Sequence, residues 1–156
     1  MVYTTEGTVW PAIAISNDSK ALIGRFFQLM DDSSQGIGDI LADEIFTSNG
    51  SLSAAAGTAT GSSEIRRCRD NAWNVIQKRR HVVQRVYTQA PDGSDIMIIG
   101  SADMSLVDGR TVTMEFTGRF IIENDAVPGP KLQSYQVWVD SAPLAKALSE
   151  NQSKGI

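Results

Sequence analysis

The stretch Ile96-Met97-Ile98-Ile99-Gly100-Ser101-Ala102-Asp103-Met104-Ser105-Leu106-Val107-Asp108-Gly109 decides the fold. Ile96, Ile98, Gly100, Ala102, Met104 and Leu106 alternate along it as one apolar face, the period of a strand with one side buried. Asp108-Gly109 is a tight hairpin signal, and Thr111 to Glu123 reads as the returning strand. Upstream, Lys78-Arg79-Arg80-His81-Val82-Val83-Gln84-Arg85-Val86-Tyr87 reads as the first of three or four consecutive antiparallel strands, with Pro91-Asp92-Gly93 turning it into the next. Downstream, the loop Asn124 to Pro130 leads into a strand over Leu132 to Val139.

The N-terminal half is helical instead. Ser16-Asn17-Asp18-Ser19 supplies capping chemistry ahead of Lys20 to Met30, where Leu22, Phe26 and Met30 recur at i, i+4 and i+8. Asp31-Asp32-Ser33-Ser34 ends that helix. A short second helix is predicted over Ile37 to Ile45, with Leu41 and Ile45 on one face, and Phe46 to Gly61 reads as a short edge strand or hairpin. Ser62 or Ser63 caps a third helix, Glu64 to Gln77, with Ile65, Ala72, Trp73 and Ile76 inward. Asp140 caps a last short helix, Leu144 to Leu148. Residues 1–15 read as an N-terminal extension and 149–156 as a flexible polar tail. The expectation is one α+β domain, a cone-shaped barrel. Three N-terminal helices pack on a strongly curved antiparallel sheet, and a pocket lies between them.

Composition narrows the partners. At 156 residues, with 42% hydrophobic and 21% charged content, the chain suits a single globular domain. A net charge of −4 gives no general basic field, so neither nucleic acid nor a membrane surface is expected as a partner. Met1 to Glu6 has no basic region and the apolar run Val9 to Ile15 is short and broken by Pro11, so no signal peptide or spanning helix is read. The lone Cys68 can form no internal disulfide, which favours a reducing, cytoplasmic setting. There is no Gly-rich phosphate loop, metal-ligand spacing or Gly-x-Ser-x-Gly elbow, and no cofactor or metal is expected.

Phe46-Thr47-Ser48-Asn49-Gly50, Gly57-Thr58-Ala59-Thr60-Gly61 before Glu64-Ile65, Arg80-His81-x-Val83, Gly100, Asp108-Gly109 and Tyr135-Gln136-Val137-Trp138-Val139-Asp140 follow one another along the chain. In that order they resemble the SnoaL-like branch of the nuclear-transport-factor-2-like superfamily, from about Ser19 to Leu148. The resemblance implies the cone and a homodimer formed through the outer sheet face. It also implies one of several activities: cyclase, isomerase, dehydratase, epoxide hydrolase, or none. The superfamily's best-known catalytic sets do not carry over. The positions of the ketosteroid isomerase tyrosine and two aspartates fall at Phe26, Leu52 and Phe116. The strand histidine of scytalone dehydratase matches His81, but its second histidine falls near Ala102. Of the Arg–Asp pair of limonene-epoxide hydrolases, Asp103 alone could match, and the arginine position is Ser101.

His81 is the one histidine and titrates near neutral pH, so it is the candidate acid or base; the plainer alternative is a core-edge histidine bonded to a backbone carbonyl. Tyr135 is the candidate oxyanion donor, or else a buried tyrosine bonded to protein. Asp103 is the candidate assisting carboxylate, although strict alternation turns it outward unless a bulge intervenes. Trp10, Phe26, Met30, Trp73, Met114 and Phe116 are core residues by default and the candidate walls of a substrate pocket. The reading is a cofactor-independent isomerase or cyclase acting on a small, largely apolar biosynthetic intermediate. An epoxide hydrolase or dehydratase, and a non-catalytic ligand-binding or dimeric interaction module, are the alternatives.

Overall fold

The computed structural model describes residues 3–152. Six strands form one sheet in the order β2-β1-β6-β5-β4-β3: β1 (Phe46–Ala54), β2 (Gly57–Thr60), β3 (Ile76–Thr88), β4 (Asp95–Leu106), β5 (Thr111–Glu123) and β6 (Lys131–Val139). β3 to β6 are a continuous antiparallel meander, as the alternation predicts. Phe46 to Gly61 is the expected hairpin, with β2 at the sheet edge, and β1 runs parallel to β6 on its other side. With β2 and β3 as free edges the sheet is an open cone, and the barrel does not close.

Helix α1 (Asn17–Asp31) starts where Ser16 Oγ accepts the amide of Ser19 at 3.1 Å. Its buried stripe of Leu22, Ile23, Phe26 and Phe27 lies on the inner face of the sheet. Phe26 meets Phe46, Phe120 and Tyr135 at ring separations of 4.7–6.0 Å, so one fully buried aromatic ties α1 to three strands. Such a ring contributes roughly 1.5–3 kcal/mol by burial alone. α2 (Ile37–Ile40) runs on into a single π-helical turn, Leu41–Ile45, so the second helix has its expected span with a wider second half.

The third helix differs from expectation. α3 spans only Gly61–Arg67, with Ser62 and Ser63 inside it and Thr60 at the N-cap position, where the Thr60 amide donates to Glu64 Oε2 at 2.7 Å. Turns follow, and Ile76 already belongs to β3. Apolar residues at 72, 73 and 76 fit a helix spacing, but Trp73 and Ile76 bury against strands β4 and β5. Tertiary packing overrides the local periodicity there. α4 (Ala142–Gln152) begins where Asp140 accepts the amide of Ala142. It sets Leu144 and Ala147 against Ile76, Ala102, Met104, Leu106 and Met114, closing one end of the cone. The helix runs through the first part of the expected tail, and residues 153–156 lie outside the described residues.

The N-terminal extension is structured from Tyr3. After a short turn at Tyr3–Thr5, Val9 bridges the free edge of β3, donating to Gln84 O and accepting from Val86 N at 3.0 Å each. Among the described residues no helix is long and apolar enough to cross a membrane.

Candidate active site

Two bulges on β3, between Ile76 and Lys78 and between Val83 and Arg85, set which of its side chains enter the cone. Between them Arg79, His81 and Val83 face inward. His81 pairs with Ala102, itself paired with Met114, so a small side chain sits beside the imidazole. Two glycines make room for the facing rings. A Cβ at Gly100 would lie 2.8 Å from the Phe116 ring, and one at Gly118 would lie 2.8 Å from that of Tyr135. The cavity measures about 150 Å³ and is lined by Phe26, Phe27, Met30, Leu52, Ala54, Arg79, His81, Ala102, Met104, Met114, Phe116, Tyr135, Val137 and Val139.

Asp31, the last residue of α1, defines the chemistry. Its Oδ1 lies 2.5 Å from His81 Nδ1, while its Oδ2 accepts the His81 backbone amide at 2.8 Å and the Tyr3 hydroxyl at 2.6 Å. A carboxylate at a helix C-terminus opposes the helix dipole. Arg69 compensates by donating to the carbonyls of Leu29, Met30 and Asp32, and Arg79 donates to Met30 O. Both guanidinium groups also flank Trp73, at 5.6 and 5.1 Å from its ring.

Burial alone would raise the Asp31 carboxyl, but the hydrogen bonds offered by His81 and Tyr3 hold it below the usual carboxylate value. Burial pushes the His81 imidazole below its ordinary value; Asp31 opposes that shift, and the charges of Arg79 and Arg69 reinforce it. Burial, with Asp31 beside it, pushes the Tyr3 hydroxyl up to about 12. Asp31 is therefore ionised and His81 neutral, with its proton on Nδ1 as the hydrogen-bond network assigns it. Nε2 then carries a lone pair and has no hydrogen-bond partner among the described residues. The Tyr135 hydroxyl is likewise unpartnered, and burial holds it protonated. An acceptor and a donor thus face one apolar cavity, the arrangement of a base and an oxygen-polarising acid.

The structure brings together His81, Tyr135, Phe26, Met30, Met114 and Phe116 on the cavity wall. It places three other candidates elsewhere. Asp103 is exposed on the outer face, accepting from Thr113 Oγ1 at 2.7 Å, because β4 pairs with β5 without a bulge from Asp95 to Ser105 and alternation holds. Trp10 packs on the outside of the core under Lys20, and Trp73 sits behind Arg79. Asp31 and Arg79 were not among the sequence candidates. A carboxylate on the wrong end of a helix was the signal for Asp31, and for Arg79 it was its place two residues before His81 on the same strand. Among the described residues no group of three or more His, Cys, Asp or Glu could hold a metal ion.

No family model matches the sequence, and no curated protein matches it. Solved structures do match in fold. A hexachlorocyclohexane dehydrochlorinase superposes with a TM-score of 0.61 at 15% identity, over 79% of this chain and 83% of that one. A protein of Jannaschia sp. assigned to the SnoaL-like polyketide cyclases gives 0.65 at 13% identity, over 86% and 94%. Nuclear transport factor 2 of Cryptosporidium parvum gives 0.58 at 16% identity, over 83% and 100%. The chain therefore has the nuclear-transport-factor-2-like fold, as the resemblance implied.

The lowered His81 value fixes the sign of the pH dependence. Folded, both His81 and Asp31 bind protons less readily than when unfolded. Stability from this pair is full above about pH 6.5 and is lost on acidification. The activity of a His81 base should rise along an acid limb below about pH 6.5 and then level off. In Asp31→Asn, burial acts on His81 unopposed, so that limb should move to lower pH while the plateau falls about 10³-fold or more. A limb that moves upward, measured as kcat/KM against pH, would contradict this arrangement.

Proposed function

We propose that the chain is a cofactor-independent isomerase or cyclase, acting on a small, largely apolar biosynthetic intermediate bound in the cone. The observation that carries this reading is the Asp31–His81 pair, which leaves Nε2 as a neutral base in an apolar cavity opposite an unpartnered tyrosine. His81 Nε2 takes a proton from a carbon next to a carbonyl, and the C–H electron pair moves onto the carbonyl oxygen as an enolate. Tyr135 donates a hydrogen bond to that oxygen, and Asp31 stabilises the imidazolium formed. The imidazolium then returns the proton to a different carbon, which is isomerisation. Alternatively the enolate carbon attacks a second carbonyl carbon, whose oxygen takes the proton, which is cyclisation. The aromatic and thioether walls exclude water and hold one conformer of the reactive intermediate.

The name of one structural neighbour supports proton removal as the first step, since a dehydrochlorinase is named for taking hydrogen and chlorine from its substrate. Loss of water by the same base and acid is the related dehydratase reading. Epoxide hydrolysis fits less well. Asp31 already accepts three hydrogen bonds from Tyr3 and His81, and it does not line the cavity.

The reaction can be tested before the substrate is known. Single-ring ketones and enones, incubated with the protein in deuterated water, should exchange their α-protons faster than in buffer. His81→Ala should lower that rate about a hundredfold or more. Exchange at the buffer rate with wild-type protein, or undiminished exchange with a folded His81→Ala variant, would remove the proposal.

A homodimer through the outer sheet face belongs to the same proposal. Tyr87, Ile99 and Trp138 stand there 48%, 44% and 46% exposed, and neighbouring Arg119 is neutralised by Asp95 at 2.7 Å. Sedimentation should give twice the chain mass and Ile99→Glu about the single mass; a monomeric wild-type protein would refute the dimer.

A further inference from the structure

Arg79 does more in this site than the proton-transfer step requires. It is a strand residue whose side chain is 12% exposed, set into a cavity walled otherwise by apolar side chains with His81 and Tyr135. A guanidinium carries five N–H donors and stays charged in any such environment. Here one nitrogen, Nη2, is committed to Met30 O. Nε is buried without a hydrogen-bond partner, and Nη1 has none among the described residues.

The neighbouring carboxylate does not use up these donors. Asp31 Oδ1 is 3.6 Å from Arg79 Nε, beyond hydrogen-bond reach, and both Asp31 oxygens are already engaged by His81 and Tyr3. Asp31 offsets the charge of Arg79 without satisfying its N–H groups. A buried donor left empty is costly, and a methionine or leucine would fill the same wall without that cost. The unpartnered Tyr135 hydroxyl lines the same cavity. Nη1 of Arg79, which is not sealed off as Nε is, and the Tyr135 hydroxyl are thus two unspent donors on one small cavity, the first of them cationic.

The size of that space restricts what fills it. A cavity of about 150 Å³ with apolar walls holds a molecule the size of benzene, and this one measures about 150 Å³. Phe26, Phe27 and Phe116 line it, and Phe27 and Phe116 meet each other at 5.7 Å. Flat aromatic walls accept a planar ring edge-on or offset.

We infer that the cavity binds a single-ring molecule bearing a carboxylate, with the ring between the phenylalanines and the carboxylate oxygens on Arg79 and Tyr135. This rests on the proposed function only in taking the cavity as the substrate site. It assigns that substrate an acidic group, which makes the compound amphipathic instead of wholly apolar. A guanidinium is the side chain suited to this task, because it stays charged when buried and its Nη1 can donate to one carboxylate oxygen while the Tyr135 hydroxyl donates to the other.

The test uses benzoate as the probe, with benzamide and toluene as neutral molecules of similar shape, titrated calorimetrically into the full chain. Benzoate should bind about tenfold or more tighter than benzamide. Arg79→Met should abolish that preference while benzamide binding persists, and His81→Ala should keep it. On the wild-type protein, benzoate but not toluene should shift the Nε–H resonance of Arg79, a readout that requires no variant to fold. Equal affinity for benzoate and benzamide, an unmoved Arg79 resonance at saturation, or a preference retained in Arg79→Met would each overturn the inference. Benzoate preference without any proton exchange would leave the acid site standing and remove the proposed reaction, so the two failures are separable.

Discussion

The contact between Asp31 and His81 governs the rest of the molecule's functional half. It joins the end of α1 to the first strand of the meander across fifty positions of sequence. Its worth is positional more than energetic. Three hydrogen bonds to a charged group contribute roughly 1.5–3 kcal/mol each. Taking a carboxylate out of water costs several kcal/mol. These nearly cancel, so the pair adds little net stability while it fixes where α1 ends and which way the imidazole turns. The surrounding groups exist on that account. Arg69 satisfies the carbonyls that the helix end would leave open, Arg79 balances the buried charge, and Tyr3 brings the N-terminal segment over the carboxylate.

From that constraint the chemistry follows in order. With Nδ1 bound to an ionised carboxylate, Nε2 is left as the basic nitrogen on the cavity wall. Burial keeps the ring neutral at working pH, and Asp31 keeps the imidazolium accessible when a proton arrives. The glycines at 100 and 118 let Phe116 and Tyr135 fold inward, which leaves a space of ring size instead of a filled core. An imidazole nitrogen, a tyrosine hydroxyl and a guanidinium, each with unspent hydrogen-bonding capacity, thus line one cavity.

Much of the fold was legible because alternation in β4 and β5 is unbroken over a dozen residues each, and a period of two leaves no second reading. Where two periods coexist, as at Trp73 and Ile76, only the neighbouring strands decide, and the third helix was read too long. The parallel pairing of β1 with β6 joins segments some eighty residues apart and has no local signature. In the site, His81 and Tyr135 could be found from residue type and strand parity. Asp31 could not be found by periodicity, since Asp31-Asp32-Ser33-Ser34 has the look of an ordinary helix stop. Its opposition to the helix dipole was the trace available, a local rule broken at the candidate site. Arg79 stands in the basic run Lys78-Arg79-Arg80, which has the look of a solvated surface, although on a strand it must share the face of His81.

Because the chain has a single histidine, nitrogen NMR on ¹⁵N-labelled protein reports this imidazole alone. At neutral pH the spectrum should show Nδ1 protonated and Nε2 bare, with a titration midpoint below about 6.5. A proton on Nε2, or a midpoint above that value, would contradict the account of His81 as a neutral base held by Asp31.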